Sequence, residues 1–409
     1  MPSNKSDYHT PEFEFIALVA LLTALVAMSI DTMLPALGIM AQDLGATNPN
    51  DRQLIILAFF TGLMLGTPVF GPLSDSIGRK PTIFGGIVIY IIGALVCLLA
   101  TSFPMLVIGR LIQGVGASSP RIVAMAMVRD GSKGANMARI MSFVMSVFML
   151  VPIFAPSIGQ LVLYVATWRY IFGGLMVAAI LVAIWFALRQ EETLPVERRQ
   201  PFSPRTLWSS AVEVIRNPVA LGYTLATGFI FGIFTAYLSV CQQIFAEQYQ
   251  QGDKFALWFG SFACALALAM ILNGNLVHRL GMRNLSQRAM FGYVAVWIMM
   301  LLMCFFWAGH PPLAVIAVLF AIWFFTAGFT FGNFNALAME PMGHIAGMAA
   351  AVTGTVSSAM GILLGGLAGR SYNGTLTPLA VYFVIYALAC LASMEWAEAK
   401  RHPVKKSIA

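Results

Sequence analysis

Long uncharged runs recur along this chain, each closed by a short polar cluster. Phe15 to Ile30 reads FIALVALLTALVAMSI, uncharged throughout and apolar on every side of a helix rather than along one stripe. A helix that is apolar all round lies in a core or in a membrane, and about 20 such residues cross a bilayer. The pattern predicts twelve spans, at 15–37, 54–73, 82–101, 103–128, 138–163, 168–188, 219–240, 255–277, 288–308, 312–337, 346–369 and 376–396. The first is too long for a removable leader and lacks a small-residue cleavage site, so it is expected to stay in the protein.

One stretch breaks the rhythm. Between spans six and seven lies EETLPVERRQPFSPRTLWSSAVEVIRNP (Glu191 to Pro218), polar and rich in proline and arginine. It divides six spans from six. A repeat supports the division: GPLSDSIGRK (Gly71 to Lys80) ends span two, and GNLVHRLGMR (Gly274 to Arg283) ends span eight. Gly71, Leu73 and Gly78 match Gly274, Leu276 and Gly281 at one offset of 203. Duplicated six-helix units, related by an axis along the membrane normal, are a common transporter plan. The predicted fold is an all-α membrane protein with twelve transmembrane helices in two pseudo-symmetric six-helix bundles. Residues 1–188 form the first bundle, 189–218 a cytoplasmic linker and 219–409 the second bundle.

Composition and charge sharpen this picture. Only 10% of the 409 residues are charged, 59% are hydrophobic and the mean hydropathy is +0.81, whereas soluble domains carry about 25% charge. With the N-terminus in the cytoplasm, eighteen Lys and Arg residues fall on inside segments and four (Arg52, Arg169, Lys254, Arg370) outside. That asymmetry predicts both termini inside. The net charge of +7 is this bias and not a nucleic-acid footprint. Cys97, Cys241, Cys264, Cys304 and Cys390 show no paired or metal-binding spacing, and read as small packing residues. HExxH, GxSxG and phosphate-loop patterns are missing, so the sequence gives no support for an enzyme, a metal site or ATP hydrolysis.

The candidate chemistry lies in the few charges within spans. Asp31 is the one acidic residue placed clearly inside, six residues from the outer end of span one, about 9 Å deep at 1.5 Å per residue. It is either a solvated carboxylate at the outer interface or a functional group facing a cavity or partner, and its depth favours the second. Arg110 stands seven residues into span four, at similar depth, so the two can pair if their helices adjoin. Arg121 follows eleven residues later, a spacing that puts Arg110, Gly114, Ala117 and Arg121 on one helix face. Such a face suits a water-filled cavity; Arg121 also has a structural reading, as partner to a carbonyl or charge near the inner mouth. Burial and a nearby guanidinium act in opposite senses on a carboxylate's hold on its proton, which suits a proton carrier.

In GPLSDSIGRK, Gly71 and Gly78 allow close helix approach and a sharp turn. Asp75 is expected just beyond a helix end and Asp130 in a loop. Asp75 can pair with Arg79 or with basic groups of a neighbouring helix, as a charge latch, or simply cap a positive-inside loop. The second copy has His278 in its place, so any latch belongs to the first half.

These pieces resemble the major facilitator superfamily, and within it the drug:proton antiporters of the bicyclomycin/chloramphenicol-resistance (Bcr/CflA) group. DTMLPAL looks like the group's span-one signature, in which Asp31 would be the protonation site. GPLSDSIGRK is similar to the superfamily's loop signature. RLIQGVGAS (Arg110 to Ser118) resembles the span-four signature, with Arg110, Gln113, Gly114 and Gly116. VPIFAPSIGQ (Val151 to Gln160) looks like the antiporter signature of span five, where Pro152, Pro156 and Gly159 kink the helix and permit close packing. WRYIF and EETLP flank span six as in the group. Ser76, Ala155, Gln160 and Met125 depart from the usual pattern, and Arg121 stands one turn before the position where an arginine is usual.

The resemblance implies a multi-pass antiporter of the bacterial inner membrane that expels small organic molecules by alternating access. Asp31 and Arg110 would couple protons, and Arg121 and Gln113 would meet polar groups of the substrate. Tyr223, Phe231, Phe234, Tyr237 and Met149 would give loose apolar contacts, although residues of these types are more often plain packing. The expected partners are a small-molecule substrate, protons and the lipid bilayer, with a monomeric chain, no nucleic acid and no cofactor beyond the proton gradient. A proton-coupled uptake symporter of the same fold and a non-transporting membrane sensor are the rival readings.

Overall fold

A computed structural model of the chain describes residues 11–201 and 204–401, and these contain helices and no strand. Lys5, Lys405 and Lys406, counted above among the inside charges, lie outside the described residues. The α-helices, in chain order, are α1 (Glu12–Asp31), α2 (Leu37–Asp43), α3 (Gln53–Ile77), α4 (Arg79–Leu98), α5 (Phe103–Gly131), α6 (Gly134–Val165), α7 (Arg169–Arg189), α8 (Pro204–Arg216), α9 (Pro218–Gln242), α10 (Phe255–Leu280), α11 (Met282–Phe306), α12 (Leu313–Met339), α13 (Ala346–Arg370) and α14 (Thr377–Ala399). Among the described residues, eleven helical stretches are long and apolar enough to cross a membrane. The longest of them, Leu313–Arg370, is interrupted by a 3-10 turn at Glu340–Ile345 whose Met342 leaves helical geometry. Counting α12 and α13 separately gives the twelve expected spans.

The first span is not one run. α1 stops at Asp31, a 3-10 turn covers Leu34–Ala36, and α2 then carries the stretch to Asp43. The sequence explains the break. Ser29 and Thr32 turn their hydroxyls back onto the carbonyls of Leu25 and Met28, each at 2.6 Å, a bond that bends helices. Pro35 then has no N–H with which to continue the ladder. The helical stretch Glu12–Asp43 is 32 residues long, so Asp31 lies deeper within it than a span ending at residue 37 implies.

Two loops repeat one device. α3 gives way to α4 at Gly78 (φ 110°), and α10 gives way to α11 at Gly281 (φ 78°). Both conformations disfavour residues with a side chain, and the two glycines are one of the matched pairs of the repeat. Within α5, Gly114 and Gly116 let two backbones approach, since a Cβ on them would fall 2.1 Å from the Phe59 carbonyl oxygen and 2.2 Å from the Tyr90 nitrogen. Small residues at such contacts are how helices pack tightly in lipid.

By packing, the chain forms two compact units. One holds Met1–Ser203 with Tyr237–Cys264, and the other Pro204–Ala236 with Ala265–Ala409. The first is organised on α5, with α3 and α4 against it and α6 against α1. The second has an aromatic core in which Trp297 of α11 meets Trp323 of α12 at 5.0 Å and Phe383 of α14 at 4.6 Å between ring centroids.

Candidate functional site

Asp31 closes α1 as a buried residue, 5% exposed. Its carboxylate makes no hydrogen bond or ion pair with a described residue. Cys241, also buried, is its electrostatic neighbour. The wall behind the break is backbone: Gly159 of α6 sits so close that a Cβ there would lie 1.7 Å from the Thr32 carbonyl oxygen. Pro152 and Pro156 lie inside the same uninterrupted helix. The span-five signature therefore packs directly on the residue that follows Asp31.

Arg110 is fully buried and does not pair with Asp31. Its Nε donates to the Ile55 carbonyl at 3.2 Å and its Nη1 to Gln113 Oε1 at 2.6 Å. The guanidinium stacks over the Phe59 ring at 4.2 Å, and its Nη2 has no hydrogen-bond partner among the described residues. Each of these contacts offered to the cation is neutral. Between Arg110 and α1 stands Tyr90, buried beside Arg110 and Gln113. Its hydroxyl meets Ser29 Oγ at 2.6 Å. The single Ser29 proton goes to Leu25, so Tyr90 is the donor. Ser29 and Tyr90 carried no sequence signal, because a hydroxyl in an apolar run looks like packing until its partner is known.

Arg121 does not share the surroundings of Arg110. It is exposed in mid-helix and makes no hydrogen bond or ion pair with a described residue. The predicted common face of α5 thus holds one arginine fully buried and one accessible. Gln113 belongs with Arg110 and not with Arg121.

The apolar candidates are dispersed. In the first unit, Met149 is half-buried on α6, and Tyr237 is buried and stacked on Phe259 at 6.2 Å. In the second, Phe231 is half-buried and packed on Gly361, and Phe234 meets Phe324 edge-on at 6.3 Å. Tyr223 is engaged in a polar cluster of its own. Its hydroxyl donates to Glu398 Oε1 at 2.6 Å, and Arg401 donates to the same oxygen at 2.9 Å.

The loop signature is built around Arg79. Its guanidinium is almost fully buried, and Nε donates to Asp130 Oδ2 at 2.8 Å while Nη1 reaches Ser74 Oγ at 2.6 Å and Asp75. Asp75 and Asp130 lie in the last turns of α3 and α5 and not in loops. Gly71 is half-buried, with the Ile122 side chain nearest. Glu192 of EETLP accepts from the backbone N–H groups of Arg79 and Lys80 at 2.9 and 3.0 Å, capping the N-terminus of α4 with a carboxylate. The linker is thereby fastened to the loop, and Gln200 N–H adds a bond to the Asp75 carbonyl at 2.9 Å.

The family model described as Major Facilitator Superfamily matches residues 19–400. An uncharacterised MFS-type transporter of Bacillus subtilis is 30% identical over 92% of this chain and 93% of its own length. A bicyclomycin resistance protein homolog of Haemophilus influenzae is 26% identical over 90% of this chain and 92% of its own. Among solved structures, a D-xylose–proton symporter superposes with a TM-score of 0.72 at 14% identity, over 94% of this chain and 96% of its own; that likeness concerns the fold.

Proposed function

The chain belongs to the Major Facilitator Superfamily, and from that premise we propose that it is a proton-coupled antiporter which exports small organic molecules by alternating access. It is a multi-pass membrane transporter with relatives named for antibiotic resistance. The finer reading rests on one observation: Asp31 is a buried carboxylate, with no hydrogen bond or ion pair to a described residue, at a break in the first span.

An unpaired ion is costly in such surroundings, and a neutral carboxylic acid is far less so. A site that is alternately closed and opened to water therefore takes up a proton to close and gives it up when opened to the less acidic side. Arg110 adds a fixed positive charge held by neutral groups, a counter-charge in reserve for an ionised carboxylate. Tyr90 and Ser29 join the Arg110 surroundings to α1. Arg121, accessible and without a partner among the described residues, is the group available to a polar or anionic part of the substrate. The Lys and Arg asymmetry supports cytoplasmic termini in a bacterial inner membrane, which makes export the movement from the Arg79 end to the Arg52 end.

The test is reconstitution into proteoliposomes under an imposed pH gradient, with a panel of phenicol-like and other small antibiotics. The expected result is substrate-driven proton flux and uphill movement, both abolished by Asp31→Asn in a protein that still binds substrate. An Asn variant that concentrates substrate against its gradient overturns the assignment. Inward accumulation driven by protons would establish the symporter instead.

A further inference from the structure

Sequence alone makes Arg52 one of four stray outer charges. In the structure it is buried, 8% exposed, and stands where α3 begins. Its Nε donates to the Pro49 carbonyl at 2.8 Å, and its Nη1 donates to Gln242 Oε1 at 2.9 Å and to the Glu247 carboxylate. Two further bonds lie beside it. Gln243 Nε2 donates to Asn50 Oδ1 at 3.0 Å, and Gln53 Nε2 to Gln243 Oε1 at 3.4 Å. All the acceptors and donors on the far side come from the end of α9 and from the π-helix Gln243–Gln248 that continues it. A π-helical turn is rare and concentrates at functional sites. Here it carries Gln243 and Glu247 against the Asn50–Gln53 turn. The segment Tyr237–Cys264 belongs to the first compact unit, so these bonds join residues from both sides of the linker within one packed body.

The cluster also touches the segment that follows Asp31. A Cβ on Gly38 of α2 would lie 3.1 Å from Arg52 Nη1 and 3.3 Å from Gln242 Nε2. α2 is thus held under the ion pair, separated from Asp31 by little more than the 3-10 turn.

We propose that Arg52 and Glu247, with Asn50, Gln53, Gln242 and Gln243, form the outer latch of the transporter, and that α2 couples its release to the Asp31 break. This rests on the alternating-access reading. With the latch closed, the outer route to Asp31 is shut. When it parts, Arg52 loses the Glu247 carboxylate and α2 loses its lid, so the break can rearrange and admit water. The half-exposed Glu247 makes the pair separable, where a fully buried pair would resist parting.

Cys241 reports the state of this end, since it is buried one residue before Gln242 and neighbours Asp31. In a protein retaining Cys241 as its single cysteine, a membrane-impermeant maleimide added to the outer medium should label slowly. Glu247→Gln and Arg52→Gln should each speed labelling about tenfold, the change that ~1.4 kcal/mol produces. The charge swap Arg52→Glu with Glu247→Arg should restore slow labelling. Asn50→Cys with Gln243→Cys, oxidised to a cross-link, should stop transport until a reductant is added. Unchanged labelling in both single charge variants, or full transport by the cross-linked protein, overturns the latch. Labelling that responds to the latch in a protein without uphill export would count against proton coupling and leave the latch standing.

Discussion

Gly159 and Thr32 touch through their backbones, at a point where a Cβ on Gly159 would lie 1.7 Å from the Thr32 carbonyl oxygen. The contact couples α6 to the break that begins after Asp31. It gives a physical meaning to the small residue of VPIFAPSIGQ: the helix that carries the antiporter-like signature forms the wall behind the candidate proton site.

Gly159→Ala has no room, and its obstacle is backbone, which does not swing aside. Overpacking of this kind costs about 1–3 kcal/mol, so the variant should melt at a lower temperature in detergent and lose transport. Gly174→Ala, at a glycine with nothing within 4 Å, is the control and should leave both unchanged. Equal behaviour of the two variants would show that α6 is free to shift away from Thr32.

Arg110→Met should separate stability from activity. Replacing a buried charge that has no acidic partner removes its desolvation cost and leaves no opposite charge unpaired. The expected variant melts no lower than the wild type and does not couple protons to export. A large fall in melting temperature would show that the Ile55 and Gln113 bonds and the Phe59 stack outweigh the unpaired charge.

The two acids on Arg79 should be unequal. The Asp75 side chain is 52% exposed and that of Asp130 19%. Exposed pairs contribute about 0.2–1 kcal/mol, and removing a carboxylate from a buried guanidinium costs more. Asp130→Asn should therefore destabilise the protein more than Asp75→Asn, with non-additive losses in the double variant because both bind one group. Denaturation of the three variants checks the order. A larger loss for Asp75→Asn would point to a role for it beyond this cluster.

Arg121 should set charge preference. Unit charges about 4 Å apart attract by about 4 kcal/mol at an effective dielectric of 20, and a surviving ~1.4 kcal/mol is a tenfold preference. Neutral, zwitterionic or anionic compounds should be exported better than lipophilic dications, and Arg121→Ala should weaken anionic or strongly polar compounds selectively. A resistance profile against ethidium-like cations, phenicol-like neutrals and a carboxylate-bearing drug decides this. Dications as the best substrates, or a uniform loss in the variant, would make Arg121 structural.

The chain's fold class was legible before any coordinate. Twelve apolar runs follow from hydropathy alone, because a bilayer requires continuous length and leaves few alternatives. The matched glycines at 78 and 281 marked the same turn twice, and both adopt positive φ because that turn excludes a side chain. Asp31 was legible for the same reason: one carboxylate in an apolar run stands out whatever surrounds it.

What a side chain meets across the structure was not legible. Arg110 and Arg121 share a helical face by periodicity, yet one is sealed among neutral groups and the other is open, since depth along a helix and the neighbours at each depth are set by other helices. Ser29 and Tyr90 are 61 residues apart and Arg52 and Glu247 are 195, separations over which no local pattern carries information. Sequence determined that the chain enters the membrane, roughly where each span runs and which charge is out of place there. Tertiary packing decided which of those charges are paired, because a pair is a property of two surfaces brought together and neither stretch of sequence contains the other.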